Sequence, residues 1–584
     1  MEFSKKQTSL IKTEQTKNGF VREGLKQSVK TKSGNGALKY STSNNAFVDN
    51  FAAIASFKEP REYSEVSKDM QKLWSINPKN CLKLAVYIRL ITRETQIVEK
   101  EKTINLEVQR GQGLKNEGIM RMLWIAINHK ETFMANIPYY IASGCWKDIF
   151  QMMSLDLQYH GWKHRKLDWD FLRNVIFAGL TNPNSCELVK KYLPTIRALK
   201  DCKTIESQAH SLIGRYLATC LYGKKEQGKE DNRDAQRKYR KLKQSGTAHI
   251  WQQLISQKDL LKIDFGTIHG RALSLLVNSK FLKNQGLLEK YTEWISKRTT
   301  AKYTGFVFEL FSPFGNDFYS KDVEDYRKQT INAQFNTLLE TAKQNMSTDS
   351  QLLVVRDISS SMTSVAIGTT MSSYAIGKAM ALYFSSLLTG PFKDAYAVFA
   401  DKCTLEKWVG ETPVDKWIND RQDAYGSTRF LSVAELFVKI KKEGNISENE
   451  FPKGTLLVSD GEFDSVHSDG IDVTNFQEFR NILIKGGFSK EYAENFKLII
   501  WDLPDYFYGN KFEAKFEDFA DAPNNFYMSG YDPSAIAFIL GTKEFKASPR
   551  NAEELFNAAM NQELLNMLTI VKDRFYNKTK KSKK

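Results

Sequence analysis

A chain of 584 residues is too long for one hydrophobic core and divides, at about 100–200 residues per domain, into three domains or so, which excludes a lone small binding module. Its 41% hydrophobic and 26% charged residues exclude wholesale disorder and collagen-like or coiled-coil rods. Lys and Arg number 84 against 68 Asp and Glu, and the resulting charge of +16 makes polyanions the first partner class to test.

Residues 1–48 are rich in Ser, Thr, Asn, Lys and Gln without a sustained apolar period, which predicts a disordered or late-ordering basic arm. From 49 to 343 apolar residues recur at spacings of three and four, in segments such as NCLKLAVYIRLITRE, WKDIFQMMS and ESQAHSLIGRYLATCLYG. Short Gly, Pro and Asn breaks separate them, so the pattern is that of stacked helical hairpins with almost no strand. The segment Gly223–Lys243, with nine basic and four acidic residues, is expected to project into solvent.

Between 344 and 545 short apolar runs alternate with amphipathic helices: QLLVVRD, AYAVFA, GTLLVSD and FKLIIWDL are the runs. Continuous Val, Ile and Leu suit parallel strands buried on both faces, and the helices between them suit crossovers, so this is a doubly wound α/β domain with a central strand at about Leu352–Arg356. Residues 546–584 read as a final helix, about Ala552 to Asn577, packed on either part, and a Lys-rich tail.

The six cysteines Cys81, Cys145, Cys186, Cys202, Cys220 and Cys403 lie far apart without a C-x-x-C pair, against zinc ribbons and a disulfide framework and for a reducing compartment. No apolar run approaches the ~20 residues that span a bilayer, and the first residues carry no signal-peptide core. The expectation is a soluble protein with no membrane, cytoplasmic, or virion-associated if the source is viral.

The strongest constellation is Asp357-Ile-Ser359-Ser360-Ser361 directly after a buried strand. Ligands in open α/β sheets sit beyond the carboxyl ends of strands, and a carboxylate with two hydroxyls from one turn suits Mg2+. Thr428, before the helix FLSVAELFVKI, supplies a further hydroxyl, and Asp460, after GTLLVS, a second carboxylate. Alone, D-x-S-x-S reads sooner as a helix cap; joined to Thr428 and Asp460 in order after a buried strand it favours a metal. Glu462 and Asp464 read as solvated surface. His160, His164 and His269 form no zinc or triad spacing, Cys145 and Ser361 have no base placed beside them, and phosphate-binding glycine loops are absent, so an enzyme is not expected.

D-x-S-x-S, a later loop Thr and a still later Asp resemble the metal-ion-dependent adhesion site of von Willebrand factor A domains, over about residues 348–541. The resemblance implies that Ser359, Ser361 and Thr428 ligate Mg2+, or another divalent cation such as Mn2+ or Ca2+, directly. Asp357 and Asp460 would act mainly through water or outer hydrogen bonds, and an acidic group of a protein partner would complete the shell. Arg429 departs from the family, where Asp or Asn often follows the Thr, and its cation could weaken the site or dock an anion.

A helical array followed by such a domain resembles the TROVE module proteins, the Ro autoantigen class, and their viral, bacterial and plant relatives. The likeness is carried by LAVYIRLITRE with Gly111-Gln112-Gly113, by Ser143-Gly144-Cys145-Trp146-Lys147-Asp148, and by residues 237–273. It implies a HEAT-like ring closed by the A domain, binding structured RNA on its basic outer surface and single-stranded RNA ends in its hole. Candidate RNA contacts are Lys163, Arg165 and Lys166 after Trp162, and Arg237, Lys238, Arg240, Lys241 and Lys243, each also readable as a solvated face. Trp146 and Trp162 read as core or hairpin-junction residues. The leading reading is therefore an RNA-binding ribonucleoprotein component whose A domain recruits a partner through a cation; the alternative is a non-RNA scaffold or virion-associated protein using the same cation site.

Overall fold

The computed structural model describes residues 30–32, 38–40, 42–43, 45–54, 61–99, 102–223, 233–246, 260–268, 270–316, 322–345, 351–366, 369–468, 471–503, 523–529 and 551–572. Within the stretch expected to be a disordered arm, β1 (Lys30–Lys32) and β2 (Leu38–Tyr40) pair antiparallel, and α1 (Ala46–Ile54) buries Phe47, Val48 and Phe51. That apolar trio is too short to register as a period, yet it packs on the C-terminal α21 (Ala552–Met560), where Phe51 and Phe556 meet edge to face at 5.6 Å.

The helical part follows as α2 (Tyr63–Ile76), α3 (Pro78–Arg89), α4 (Lys115–Asn128), α5 (Lys130–Ser143), α6 (Trp146–His160), α7 (Trp169–Thr181), α8 (Cys186–Tyr192), α9 (Ile205–Tyr222) and α10 (Arg233–Ser245). Asn77 caps α3 by accepting from Asn80 N at 3.0 Å, and Pro78 opens it where no amide donor is needed. The reading of this region as nearly free of strands is corrected by β3 (Arg93–Glu99) and β4 (Lys102–Gln109), an antiparallel hairpin that buries Ile97 and Leu106. Glu94 and Gln96 on β3 and Asn105 and Glu107 on β4 face outward at every second position, and so polar a hairpin is not marked as strand by apolar runs.

The expected projection at Gly223–Lys243 is also corrected. Residues 224–232 lie outside the described residues, but α10 is a packed amphipathic helix with Ala235, Gln236 and Tyr239 buried. Tyr239 donates its hydroxyl to Pro194 O at 3.0 Å, and Lys243 donates to Lys191 O at 3.2 Å and to Leu193 O, satisfying carbonyls beside the end of α8.

A separate apolar cluster gathers α11 (Gly270–Asn278), α12 (Phe281–Asn284) and α13 (Leu288–Ser296) against Tyr326 and Ala333 of α15 (Asp325–Asn345). After α14 (Val307–Phe311), the long α15 turns Ile331 and Phe335 into the main core.

The α/β part is a six-stranded sheet, ordered β12-β11-β8-β5-β6-β7. Its strands are β5 (Leu352–Asp357), β6 (Ala395–Phe399), β7 (Cys403–Lys407), β8 (Gly454–Ser459), β11 (Lys497–Asp502) and β12 (Asn525–Ser529), with a small ladder between β9 (His467–Ser468) and β10 (Ile471–Asp472) alongside. All pairings in the large sheet are parallel except that of the edge strand β7. The central strand falls where the sequence placed it. Leu353 lines a small cavity with Leu436 and Phe437 of α18 (Ser432–Gly444), while Arg356 faces Tyr374 and Lys378 of α16 (Ser373–Leu387), so these helices cover opposite faces. The remaining helices are α17 (Pro413–Asn419), α19 (Asn475–Lys485), α20 (Lys490–Asn495) and, after α21, α22 (Glu563–Met567). The single final helix expected at Ala552–Asn577 is, over the residues described, two short ones with a turn at Asn561; residues 573–577 lie outside the described residues. Among the described residues no helix is long and apolar enough to cross a membrane.

Under the sheet lies a buried charge cluster. Arg356 (0% exposed) pairs with Asp420 at 2.7 Å, Tyr396 donates to the same carboxylate at 2.7 Å, and Lys378 donates to Asp420 O at 2.7 Å. Burial pushes the Lys378 ammonium down to about 8, with Asp420 pulling the other way. Burial also works against the Asp420 charge, yet Arg356 and Lys378 hold that carboxyl below the usual range. Asp420→Ala leaves two cations without their counter-charge and should destabilise by about 3–5 kcal/mol in urea denaturation. Replacing Arg356 by Met and Asp420 by Leu together should cost less than Asp420→Ala alone.

Candidate metal centre at the carboxyl edge of the sheet

The strand LLVVRD is buried throughout and delivers Asp357, 0% exposed, to the carboxyl edge. The chain then turns at once, because Asp357 Oδ1 accepts Ser359 N at 2.8 Å, and a short 3-10 turn, Ser360–Thr363, follows. This brings the Ser359 and Ser361 hydroxyls to 3.0 Å from each other. The neighbouring parallel strand β8 ends in Ser459, whose hydroxyl donates to Asp357 Oδ2 at 2.5 Å and accepts Gly461 N at 3.1 Å. Gly461, at φ +70°, makes that turn possible, and Asp460 Oδ1 accepts Glu462 N at 3.2 Å.

The third loop is bonded to both others. Tyr425 N donates to Ile358 O at 3.0 Å and Ser360 N to Gly426 O at 3.3 Å, while Asp464 N donates to Thr428 O at 3.1 Å. Thr428 is 1% exposed and Asp460 5% exposed. The crossover from β5 runs to β6 on one side and the chain returns to β8 on the other, so the loops meet at the switch point of the sheet.

Burial pushes the Asp357 carboxyl up to about 7, with Asp460 adding to the rise, while hydrogen bonds from Ser459 and Ser359 oppose it. Asp357 and Asp460 interact here beside the paired hydroxyls of Ser359 and Ser361, and the buried Thr428 lies on the adjoining loop. These residue types are hard oxygen donors, and the raised Asp357 carboxyl marks negative charge that a cation would relieve; the residues therefore fit a divalent ion. Among the described residues no group of three or more His, Cys, Asp and Glu could hold a metal, so the hydroxyls are essential to this set.

Arg429 forms a two-pronged surface pair with Glu435, one contact at 2.7 Å. Its charge is thereby matched by a neighbour on the same helix entry. Glu462, expected at the solvated surface, is only 2% exposed, and Asp464 is half-buried. Sequence reasoning missed Ser459 and also Asp401, which accepts Ser427 N at 2.9 Å and Ser427 Oγ at 2.8 Å and so fixes the Thr428 loop. The Asp-Lys pair between AYAVFA and CTLEK was the available signal for a tight turn there.

In the helical part, Lys163, Arg165 and Lys166 lie exposed in the loop after α6. Buried Asp156 builds that loop: its carboxylate accepts Lys166 N at 2.9 Å, Leu167 N at 3.1 Å and Trp169 Nε1 at 3.0 Å. Arg165 lies over Trp162 at 5.1 Å and over Trp169 at 5.5 Å. Trp162, expected in a core or junction, is 40% exposed, whereas Trp146 is half-buried against Gly179. On α10 the side chains of Arg237, Lys238, Arg240 and Lys241 are exposed, Arg237 and Lys238 pairing with Asp234; Lys243 is half-buried on its carbonyls. A cavity of about 1130 Å³ lies between β3, α5, α7 and α8 and includes Cys145, whose thiol burial pushes up.

Residues 351–581 match the profile of a family described as a domain of unknown function (DUF7788). No curated protein matches the chain.

The Asp357 carboxyl sets a pH dependence. Its folded value lies above the unfolded 3.8, so its contribution to stability is complete below pH 3.8 and is lost as pH rises to about 7. Relative to Asp357→Asn, which mimics the protonated acid, the metal-free wild-type chain should lose melting temperature between pH 4 and 7 and then run parallel, as followed by circular dichroism.

Proposed function

We propose that the α/β part is a von Willebrand factor A-type module that binds a divalent cation and uses it to engage an acidic group of a protein partner. The observation that carries this reading is the burial of Asp357 and Asp460 at the ends of adjacent parallel strands, beside Ser359, Ser361 and Thr428. The three hydroxyls would ligate Mg2+, or Mn2+ or Ca2+, and the two carboxylates would anchor the shell through water and hydrogen bonds. When bound, such a cation offers a coordination position to a carboxylate from outside. Ser459 and Asp401 hold two of the three loops in place. This is a binding role, with no catalytic step assigned.

A second reading concerns the helical part, and the exposed Trp162 with Arg165 stacked on it favours it. An aromatic face beside Lys163, Arg165 and Lys166, in a chain of charge +16, is what single-stranded or loop RNA recognition uses. The resemblance to the TROVE module proteins supports a ring closed by the A module, and an intracellular ribonucleoprotein component as the whole. Arg237, Lys238, Arg240 and Lys241 would contact phosphates; Lys243 belongs to the fold.

Mg2+ should raise the melting temperature of the wild-type chain at pH 8, by about 2.7 kcal/mol of stability at a hundredfold excess over Kd. Asp357→Ala should abolish the rise; a wild-type chain indifferent to Mg2+, Mn2+ and Ca2+ overturns the first reading. For RNA, neutralising Arg237, Lys238, Arg240 and Lys241 together should flatten the log–log salt slope by up to roughly three units. Trp162→Ala should cost about 1–3 kcal/mol of RNA affinity, and Asp357→Ala should leave it unchanged. No RNA affinity at low salt leaves the protein scaffold reading alone.

A further inference from the structure

The last described residues of the chain are held on the helical part through their backbone. Asn136 Oδ1 accepts Thr569 N at 2.8 Å and its Nδ2 donates to Thr569 O at 2.6 Å. One turn earlier on α5, Thr132 Oγ1 accepts Val571 N at 3.1 Å and donates to Val571 O at 3.0 Å. Both side chains are 0% exposed. Four residues of helix rise about 6 Å, and two residues of extended chain span about 6.6–6.8 Å, so one helical turn matches every second residue of a strand-like segment. The order is reversed, Asn136 on residue 569 and Thr132 on residue 571, so the tail runs antiparallel to α5.

The same mode extends upstream. Gln562 closes a reciprocal pair with Arg110, Oε1 accepting Arg110 N at 2.6 Å and Nε2 donating to Arg110 O at 2.8 Å. Leu564 N donates to Gln109 Oε1 at 3.0 Å, and Leu564, Leu565 and Leu568 are buried to 1% exposure or less. A side chain that reads both backbone groups of its partner recognises an extended chain as such, with affinity from main-chain bonds and register from apolar anchors. The tail lies within the matched stretch 351–581, whereas Thr132, Asn136 and Gln109, whose side chains bind its backbone, lie outside that stretch.

We propose that the face of α5 bearing Thr132 and Asn136 is a binding site for an extended peptide backbone, filled in cis by residues 568–571, and that it binds the same segment when the covalent link is cut. The site latches the α/β part onto the helical part, independently of any cation or RNA.

Hydrogen exchange on the intact chain tests the contact. The amides of Thr569 and Val571 should be protected, and Asn136→Leu should speed both by about ten-fold or more while β5 and β8 stay unchanged. Exchange of these amides at the free-chain rate in the wild type overturns the proposal. The second arm inserts a protease site between Asn561 and Gln562 and cuts after folding. The fragment 562–584 should co-elute with the remainder and leave about ten-fold faster when Asn136→Leu is present. A fragment that separates at once from a remainder with its melting transition intact overturns the site, and one equally retained with Asn136→Leu overturns the assignment to α5. If the inserted chain does not fold, the exchange experiment decides alone.

Discussion

Two consecutive charged residues, Arg356 and Asp357, close the central strand with no exposure at all. Neighbours on a strand point to opposite faces, and in the middle of a sheet covered on both sides neither side chain can reach water. An isolated buried charge is costly enough that each face must supply partners. On the α16 side these are Asp420, which Lys378 and Tyr396 also bind, and the rings of Tyr374 and Tyr396; on the other they are Ser459, the Ser359 amide and whatever satisfies the pair Asp357 and Asp460. The geometry of the candidate metal centre is thus the second half of a solution whose first half is an ion cluster under the sheet.

The ion cluster in turn depends on the helical part. Asp420 follows α17, which Thr412 and Asp415 cap and whose Trp417 stacks on Phe311 at 4.4 Å. Val414 N donates to Asn332 Oδ1 of α15 at 3.0 Å. Helices α14 and α15 therefore place α17, α17 places Asp420, and Asp420 holds Arg356 beside the site. The C-terminal segment closes the same assembly from the far edge, since α21 packs on α1 through Phe556 while the residues after it lie on α5. The two parts are one packed body with contacts at both ends of the sheet.

The sheet was legible because parallel strands buried on both faces must be written as continuous apolar runs, and β5, β8 and β11 are. The D-x-S-x-S turn was legible because its carboxylate and hydroxyls follow such a run directly. What escaped has a common cause: its signal is not periodic. The hairpin β3–β4 offers two buried apolar residues, Ile97 and Leu106, among Glu, Lys, Thr and Gln that a helix accepts as readily. In α10 the buried face is Ala235, Gln236 and Tyr239, too weakly apolar to stand out from its arginines and lysines. Trp162 looks like core by residue type, and only the turn that Asp156 builds turns it outward. The tail contact is carried by the backbone of Thr569 and Val571, so their identities say nothing of it.

The two candidate surfaces also differ in how solvent reaches them, and that separates their physics. Asp357 and Asp460 are buried, so dissolved salt screens their mutual repulsion little, and protonation of Asp357 or a bound cation would relieve it. Lys163, Arg165, Lys166, Arg240 and Lys241 are exposed, and at physiological ionic strength a Debye length of about 8 Å screens each from distant charge. Attraction of a polyanion to these residues would therefore be a sum of short-range phosphate contacts that any added salt erodes. A cation centre of buried oxygens responds to ion identity, and a basic surface responds to ionic strength, so one chain can carry both without either setting the strength of the other.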